Sequence, residues 1–257
     1  MVLVELLGSG NAFLPSGRHH SFLCIDRHII VDAPPTALAS LRRVGISPSD
    51  IDTILITHTH GDHVFGFPFL LLERKYISDR EGEKTLTVAA NTGVKEQLEH
   101  LCHLAYPGSL EESLQKINWV KIPELENWEF ETFEVKHDPE VDPHGWMLTH
   151  KDGYSILHSG DSGPCDELWN RVGKCKLAVV EMGVPQWVAT EFHHKPMDIQ
   201  KLAKENPQTT LLITHTYIDT DYEIITTQWP DLPSNVIAGI DNLQLEVQQD
   251  SVKLILK

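Results

Sequence analysis

Residues 2–7 are apolar except for one glutamate, and Gly8-Ser9-Gly10 closes the run, which predicts a buried first strand. Two more apolar runs at 21–25 and 28–31 flank Asp26-Arg27 and predict a hairpin. The period then changes: Leu38, Leu41 and Val44 share one helical face over 36–44, and Gly45 stops the helix. An Ile-Leu-Ile run predicts a strand over 53–57, with a helix beginning over 64–72. The alternation continues with a strand over 86–90, an amphipathic helix over 92–104 and a loop-like stretch around 106–112. Strands are expected over 120–122, 128–136, 145–150, 155–159 and 177–181, then a helix over 196–204 and a strand over 210–214. Three short strands, 235–238, 243–247 and 252–256, close the chain.

Helices alternate with strands in both halves, and no Gly/Ser linker or low-complexity segment parts them. Residues 1–257 are therefore expected to form one α/β domain. Two similar halves of this kind would give two sheets face to face under helical outer layers.

Charge narrows the choice of partners. A formal net charge of −16 repels a polyphosphate chain, so a long nucleic acid fits poorly. A small anion stays compatible, because bound divalent metals reverse the field locally. The N-terminus lacks a basic leader region, and no apolar run approaches the ~18 residues of a membrane span. The four cysteines show no CxxC pair. The expectation is a cytoplasmic chain with no membrane partner.

The 15 histidines matter through their placement. In His58-Thr-His60-Gly-Asp62-His63, four ligand-type side chains fall within six residues, directly after the strand at 53–57. Gly61 is expected to let the backbone turn, so that one pair serves one ion and the other pair a neighbour. Imidazole and carboxylate donors suit zinc, with manganese or iron as weaker options. Further candidates stand at strand ends: His137, Asp161 after a glycine, where it could bridge two ions, and His215.

This set resembles the metallo-β-lactamase fold superfamily over most of the chain. The branch with tRNase Z and related phosphodiesterases is the most similar. Gly8-Ser-Gly-Asn-Ala-Phe with Arg18, Ser159-Gly-Asp-Ser-Gly-Pro-Cys-Asp166, and Glu181 closing its strand carry that likeness. The resemblance implies an αββα sandwich with two zinc ions at the edge of the paired sheets. One ion would be held by His58, His60, His137 and Asp161, the other by Asp62, His63, His215 and the bridging Asp161. It also implies a catalytic group of Asp62, His193 and Glu181, with His193 as general acid and Glu181 orienting it. His194 is the adjacent alternative to His193. Relatives in the branch often form homodimers, to which residues 101–106 could contribute.

Two such ions, about 3.5–4 Å apart, can hold a hydroxide that attacks phosphorus. The same site can attack a carbonyl, so the ligands do not choose the substrate. Departures from the tRNase Z pattern do bear on it. The stretch 73–82 is short and mixed in charge, without a Gly/Lys-rich arm, and His193 is followed by His194-Lys195 where that family shows Ser-Thr. The expected function is hydrolysis of a small phosphodiester such as a 3',5'-cyclic nucleotide. The alternatives are a lactonase or thioesterase on the same metals, a tRNA 3'-end endonuclease, and a metal-stabilised protein that binds a nucleotide without cleaving it. Arg18, Lys195 and Tyr217 are candidate contacts to phosphate or base. Trp119, Trp128 and Trp146 are expected to pack between strands.

Overall fold

In a computed structural model, which describes residues 1–82, 84–91, 93–219 and 229–255, the apolar runs form two sheets. The first half supplies β1 (Val2–Gly8), β2 (Phe22–Ile25), β3 (Ile29–Val31), β4 (Thr53–Leu55), β5 (Thr87–Ala89) and β6 (Asn118–Val120). The second supplies β7 (Trp128–Glu134), β8 (His144–His150), β9 (Tyr154–His158), β10 (Leu177–Glu181), β11 (Thr210–Thr214) and β12 (Val236–Ala238). Two last strands, β13 (Leu243–Val247) and β14 (Val252–Ile255), return to the first sheet, giving the orders β14-β13-β1-β2-β3-β4-β5-β6 and β12-β11-β10-β9-β8-β7 among the described residues.

Each sheet is antiparallel at one side and parallel at the other: β3 through β6 run parallel, as do β9 through β12. Parallel neighbours need crossovers, and helices provide several of them. In the first half these are α1 (Ala37–Arg43), α2 (Gly61–Val64), α3 (Phe67–Glu73), α4 (Val94–Ala105) and α5 (Glu111–Gln115); in the second, α6 (Asp166–Val172) and α7 (Pro196–Glu205). None of the helices among the described residues is long and apolar enough to cross a membrane.

Side-chain alternation sets the layers. Val4, Leu6, Leu23 and Leu55 of the first sheet meet Trp146, Leu148, Val179 and Leu212 of the second in a central core. The opposite faces, with Leu7, Cys24 and Ile54 on one sheet and Ala178, Val180 and Ile213 on the other, lie under the helices. The result is the expected αββα order. Trp146 is fully buried between the sheets, and its indole N–H donates to the Ile56 carbonyl at 2.9 Å. Trp146→Ala is expected to destabilise the fold by about 3–5 kcal/mol, read from a denaturant midpoint.

Several expectations change. The helix over 64–72 begins earlier and breaks into α2 and α3 at Phe65-Gly66, and the strand over 53–57 stops pairing at Leu55. Two helices were missed: α5, expected as loop over part of its length, and α6, which buries only Leu168 and Val172. Trp119 packs under the helices, 6.1 Å from the Phe67 ring, and not between the sheets. Residue 92 of the expected helix and residue 256 of the expected last strand lie outside the described residues.

Candidate metal centre

The C-terminal ends of parallel strands open onto one edge of the sandwich, the usual place for a ligand in such sheets. His58 and His60 follow β4, Asp161 follows β9, Glu181 ends β10 and His215 follows β11. Asp62 and His63 sit in α2, and His137 comes from the loop after β7. Gly61 is the first residue of α2 and not a turn with positive φ, so the expected sharp turn is replaced by a helix start. The glycine that does need its freedom is Gly160, at φ 59°, where a Cβ would stand 2.6 Å from the His144 carbonyl oxygen.

All seven expected ligands converge. The ligand atoms of His58, His60 and His137 lie within 4.8 Å of one another, as do those of Asp62, His63 and His215. Asp161 joins both groups: it clusters with His58 and His63, and also with His137 and His193. Its Oδ1 is 3.4 Å from His63 Nε2 and its Oδ2 is 3.2 Å from His215 Nε2. Burial works against charge on Asp161, but His215 and His63 hold its carboxyl well below the usual carboxylate range.

The hydrogen bonds behind the cluster decide what it can hold. Thr57 donates its hydroxyl to Asp32 Oδ2 at 2.8 Å, so it accepts from His58 Nδ1 at 3.0 Å. His63 Nδ1 donates to the same Asp32 oxygen at 2.8 Å, and His137 Nδ1 donates to the Phe192 carbonyl at 3.1 Å. His58 and His137 therefore turn an Nε2 lone pair inward. On His63 burial opposes the charged form but Asp161 and Asp32 favour it, so its Nε2 lone pair would face inward once a cation displaced the proton there. His58 Nε2 and His137 Nε2 both face His60 Nδ1, at 3.2 and 3.1 Å, and one nitrogen cannot donate a single proton fully to two acceptors. His63 Nε2 is buried with no hydrogen-bond partner. Inward lone pairs beside the buried Asp161 and half-buried Asp62 carboxylates are a donor set that fits divalent cations.

Asp32 escaped the sequence reading. It also accepts the Thr57 backbone N–H at 2.7 Å and adopts φ 66°, just ahead of Ala33-Pro34-Pro35 and between the expected strand and helix. Only the parallel pairing of Val31 with Leu55 brings it beneath the cluster.

His193 and His194 part company here. The His193 ring stacks on His215 with centroids 5.9 Å apart and planes 8° apart, and its Nδ1 donates to Glu181 Oε1 at 2.8 Å. Burial opposes its charge, yet Glu181, Asp161 and Asp62 raise its pKa to about 9. His194 is fully buried, accepts the Trp169 indole N–H at 3.0 Å and is pushed down by desolvation. Glu181 Oε1 also accepts the backbone N–H groups of Ser162 and His194 at 3.2 Å, which fixes the loop that presents His193. Of the other candidates, Tyr217 is buried, Arg18 donates to the Gly239 carbonyl at 3.4 Å, and Lys195 caps α7. His20 is buried near Asp62 and His63, and desolvation lowers its pKa to about 4.

The model of the beta-lactamase superfamily domain matches residues 27–216. A ribonuclease Z from Pyrobaculum islandicum is 24% identical over 257 aligned positions, covering 84% of this chain and 87% of its own length. The solved structure of human tRNase Z, short form, aligns with a TM-score of 0.73 at 17% identity, over 96% of this chain and 99% of that one. A diphosphatase from the PhnP family aligns with a TM-score of 0.70 at 19% identity, over 96% and 98%. At these identities the two structures speak for the fold.

Proposed function

Because the chain belongs to the beta-lactamase superfamily and is a metal-dependent hydrolase, we propose that it cleaves a small phosphodiester, a 3',5'-cyclic nucleotide foremost, at a two-zinc centre. In this reading His58, His60, His137 and Asp161 hold one ion, and Asp62, His63, His215 and Asp161 hold the other. The observation that carries it is Asp161, whose two buried oxygens face different histidines. When bound, two such ions supply a nucleophile at neutral pH and offset the charge that builds on phosphorus. The chain does the rest. Asp32 and Thr57 fix the tautomers of His58 and His63, and Glu181 fixes His193 with its Nε2 free to protonate the leaving oxygen. A homodimer belongs to the same proposal, supported by exposed Leu104 and by Phe69 lying edge-on to Tyr106 at 5.9 Å.

The second reading, a tRNA 3'-end endonuclease, draws on the likeness to ribonuclease Z across most of the chain. Two features favour the smaller substrate. The net charge is −16, and the stretch after α3 offers little to an RNA backbone. Arg74 there is buried, its guanidinium spent on Asp79 and on the carbonyls of Pro48, Ile51 and Lys84. Lys75 is tied to the Ser109 carbonyl at 2.7 Å. The zinc-loaded protein should hydrolyse bis(p-nitrophenyl) phosphate and at least one 3',5'-cyclic nucleotide, with both activities falling to background on chelation. Turnover of an acyl-homoserine lactone, a thioester or a precursor tRNA, with cyclic nucleotides inert, would move the assignment to that substrate.

A further inference from the structure

Two loops border the metal centre, and both present aromatic rings to solvent. The first is held by Asn11, which is buried: its backbone N–H donates to the Thr216 carbonyl at 3.2 Å, next to His215. Its side-chain amide donates to the Gly183 carbonyl at 3.2 Å, and its Oδ1 accepts the Phe13 N–H at 3.1 Å. Beyond this anchor Leu14 and Ser16 adopt φ 51° and 52°, the left-handed region that non-glycine residues enter only at a cost. A loop pinned and strained in this way carries Phe13 at 86% exposure. The second loop runs from Gly183 to Lys195. Its Phe192 carbonyl accepts from His137 Nδ1, the Phe192 ring lies 6.1 Å from the His137 ring, and Phe192 stays 41% exposed. The same loop carries Trp187 at 72% exposure.

One exposed ring thus sits on the loop at the His215 end of the cluster and another at the His137 end. The exposed parts of such rings, most of Phe13 and Trp187 and about two fifths of Phe192, contribute nothing to the fold, because that hydrophobic surface stays in water. We propose that Phe13 and Phe192 form a stacking platform for the nucleobase of the substrate. The inference rests on the phosphodiesterase reading: the phosphodiester enters the cleft, and the base extends outward onto the rim. Stacking on ring faces distinguishes bases weakly, since every base has a π-face. The platform therefore makes the enzyme tolerant of base identity and selective against a phosphodiester without a base.

The test compares a 3',5'-cyclic nucleotide with its abasic analogue, methyl riboside 3',5'-cyclic phosphate, on the zinc-loaded protein. The wild type should prefer the nucleotide. Phe192→Ala and Phe13→Ala should each raise its KM about ten-fold with kcat kept, shrinking the preference by the same factor, and Phe192→Tyr should restore it. Equal losses on both substrates, no change in either variant, or a wild type without preference would overturn the platform while leaving the phosphodiesterase intact. A wild type inert towards both would overturn the phosphodiesterase reading, and the platform with it.

Discussion

Asp161→Asn is expected to lower kcat/KM on a phosphodiester by about three orders of magnitude and to reduce the bound metal measured by plasma mass spectrometry. The substitution keeps the shape of the side chain but turns one of its oxygens into an NH2 group, which donates hydrogen bonds and offers no lone pair to a cation. In the wild type each oxygen has its own task, Oδ1 towards His63 and Oδ2 towards His215. An asparagine can serve only one of the two sides. Metal stabilisation of transition-state charge amounts to several kcal/mol, and each 1.36 kcal/mol is ten-fold in rate, so losing half of a shared ligand reaches about a thousand-fold. The fold itself should tolerate the change, because the backbone turn is set by Gly160 at φ 59° and not by the carboxylate. In chelator the variant should melt somewhat below the wild type, because asparagine forfeits the pairing of the buried carboxylate with His63 and His215, but it should still unfold in one cooperative transition. Full metal content with undiminished activity would show that Asp161 does not bridge.

Much of this centre could be read from the chain because its residues stand where local patterns end. His58, Asp161 and His215 each follow an apolar run closely, and a run that stops at a ligand-type residue is visible without any tertiary information. Asp32 had no such signal. It falls between the expected strand and the expected helix, and its role exists only because β3 pairs with β4 and sets it under Thr57 and His63. Spacing from His215 favoured His193 but left His194 as the neighbour that a one-residue shift would select, since adjacent loop residues point wherever the loop is held. The contacts that set the two apart, Glu181 for His193 and Trp169 for His194, come from β10 and α6. The helix pattern over 64–72 failed at Gly66 for a similar reason. A Cβ there would meet the Pro34 carbonyl oxygen at 1.9 Å, a close approach between segments far apart in sequence.

His193→Ala should separate two roles that geometry alone leaves side by side. Its ligand atom lies within 4.8 Å of those of His137 and Asp161, close enough for a ligand, while its hydrogen bond to Glu181 is that of an oriented acid. As a general acid, its loss is expected to lower kcat on a 3',5'-cyclic nucleotide by about 10²–10⁴-fold, because a ribose alkoxide leaves poorly without a proton. Bis(p-nitrophenyl) phosphate should lose far less, since nitrophenolate departs as a stable anion. Bound metal should stay at the wild-type level. Glu181→Gln should show the same split between the two substrates more weakly, because the amide can still hold the ring but no longer favours its protonated form. A ligand behaves otherwise: removing it costs both substrates alike and takes metal with it. His194→Ala supplies the contrast, because His194 is buried against Trp169 and its loss should appear in stability before it appears in rate. An equal loss on both substrates after His193→Ala, with metal retained, would instead assign His193 to binding the phosphoryl group and remove it from proton transfer.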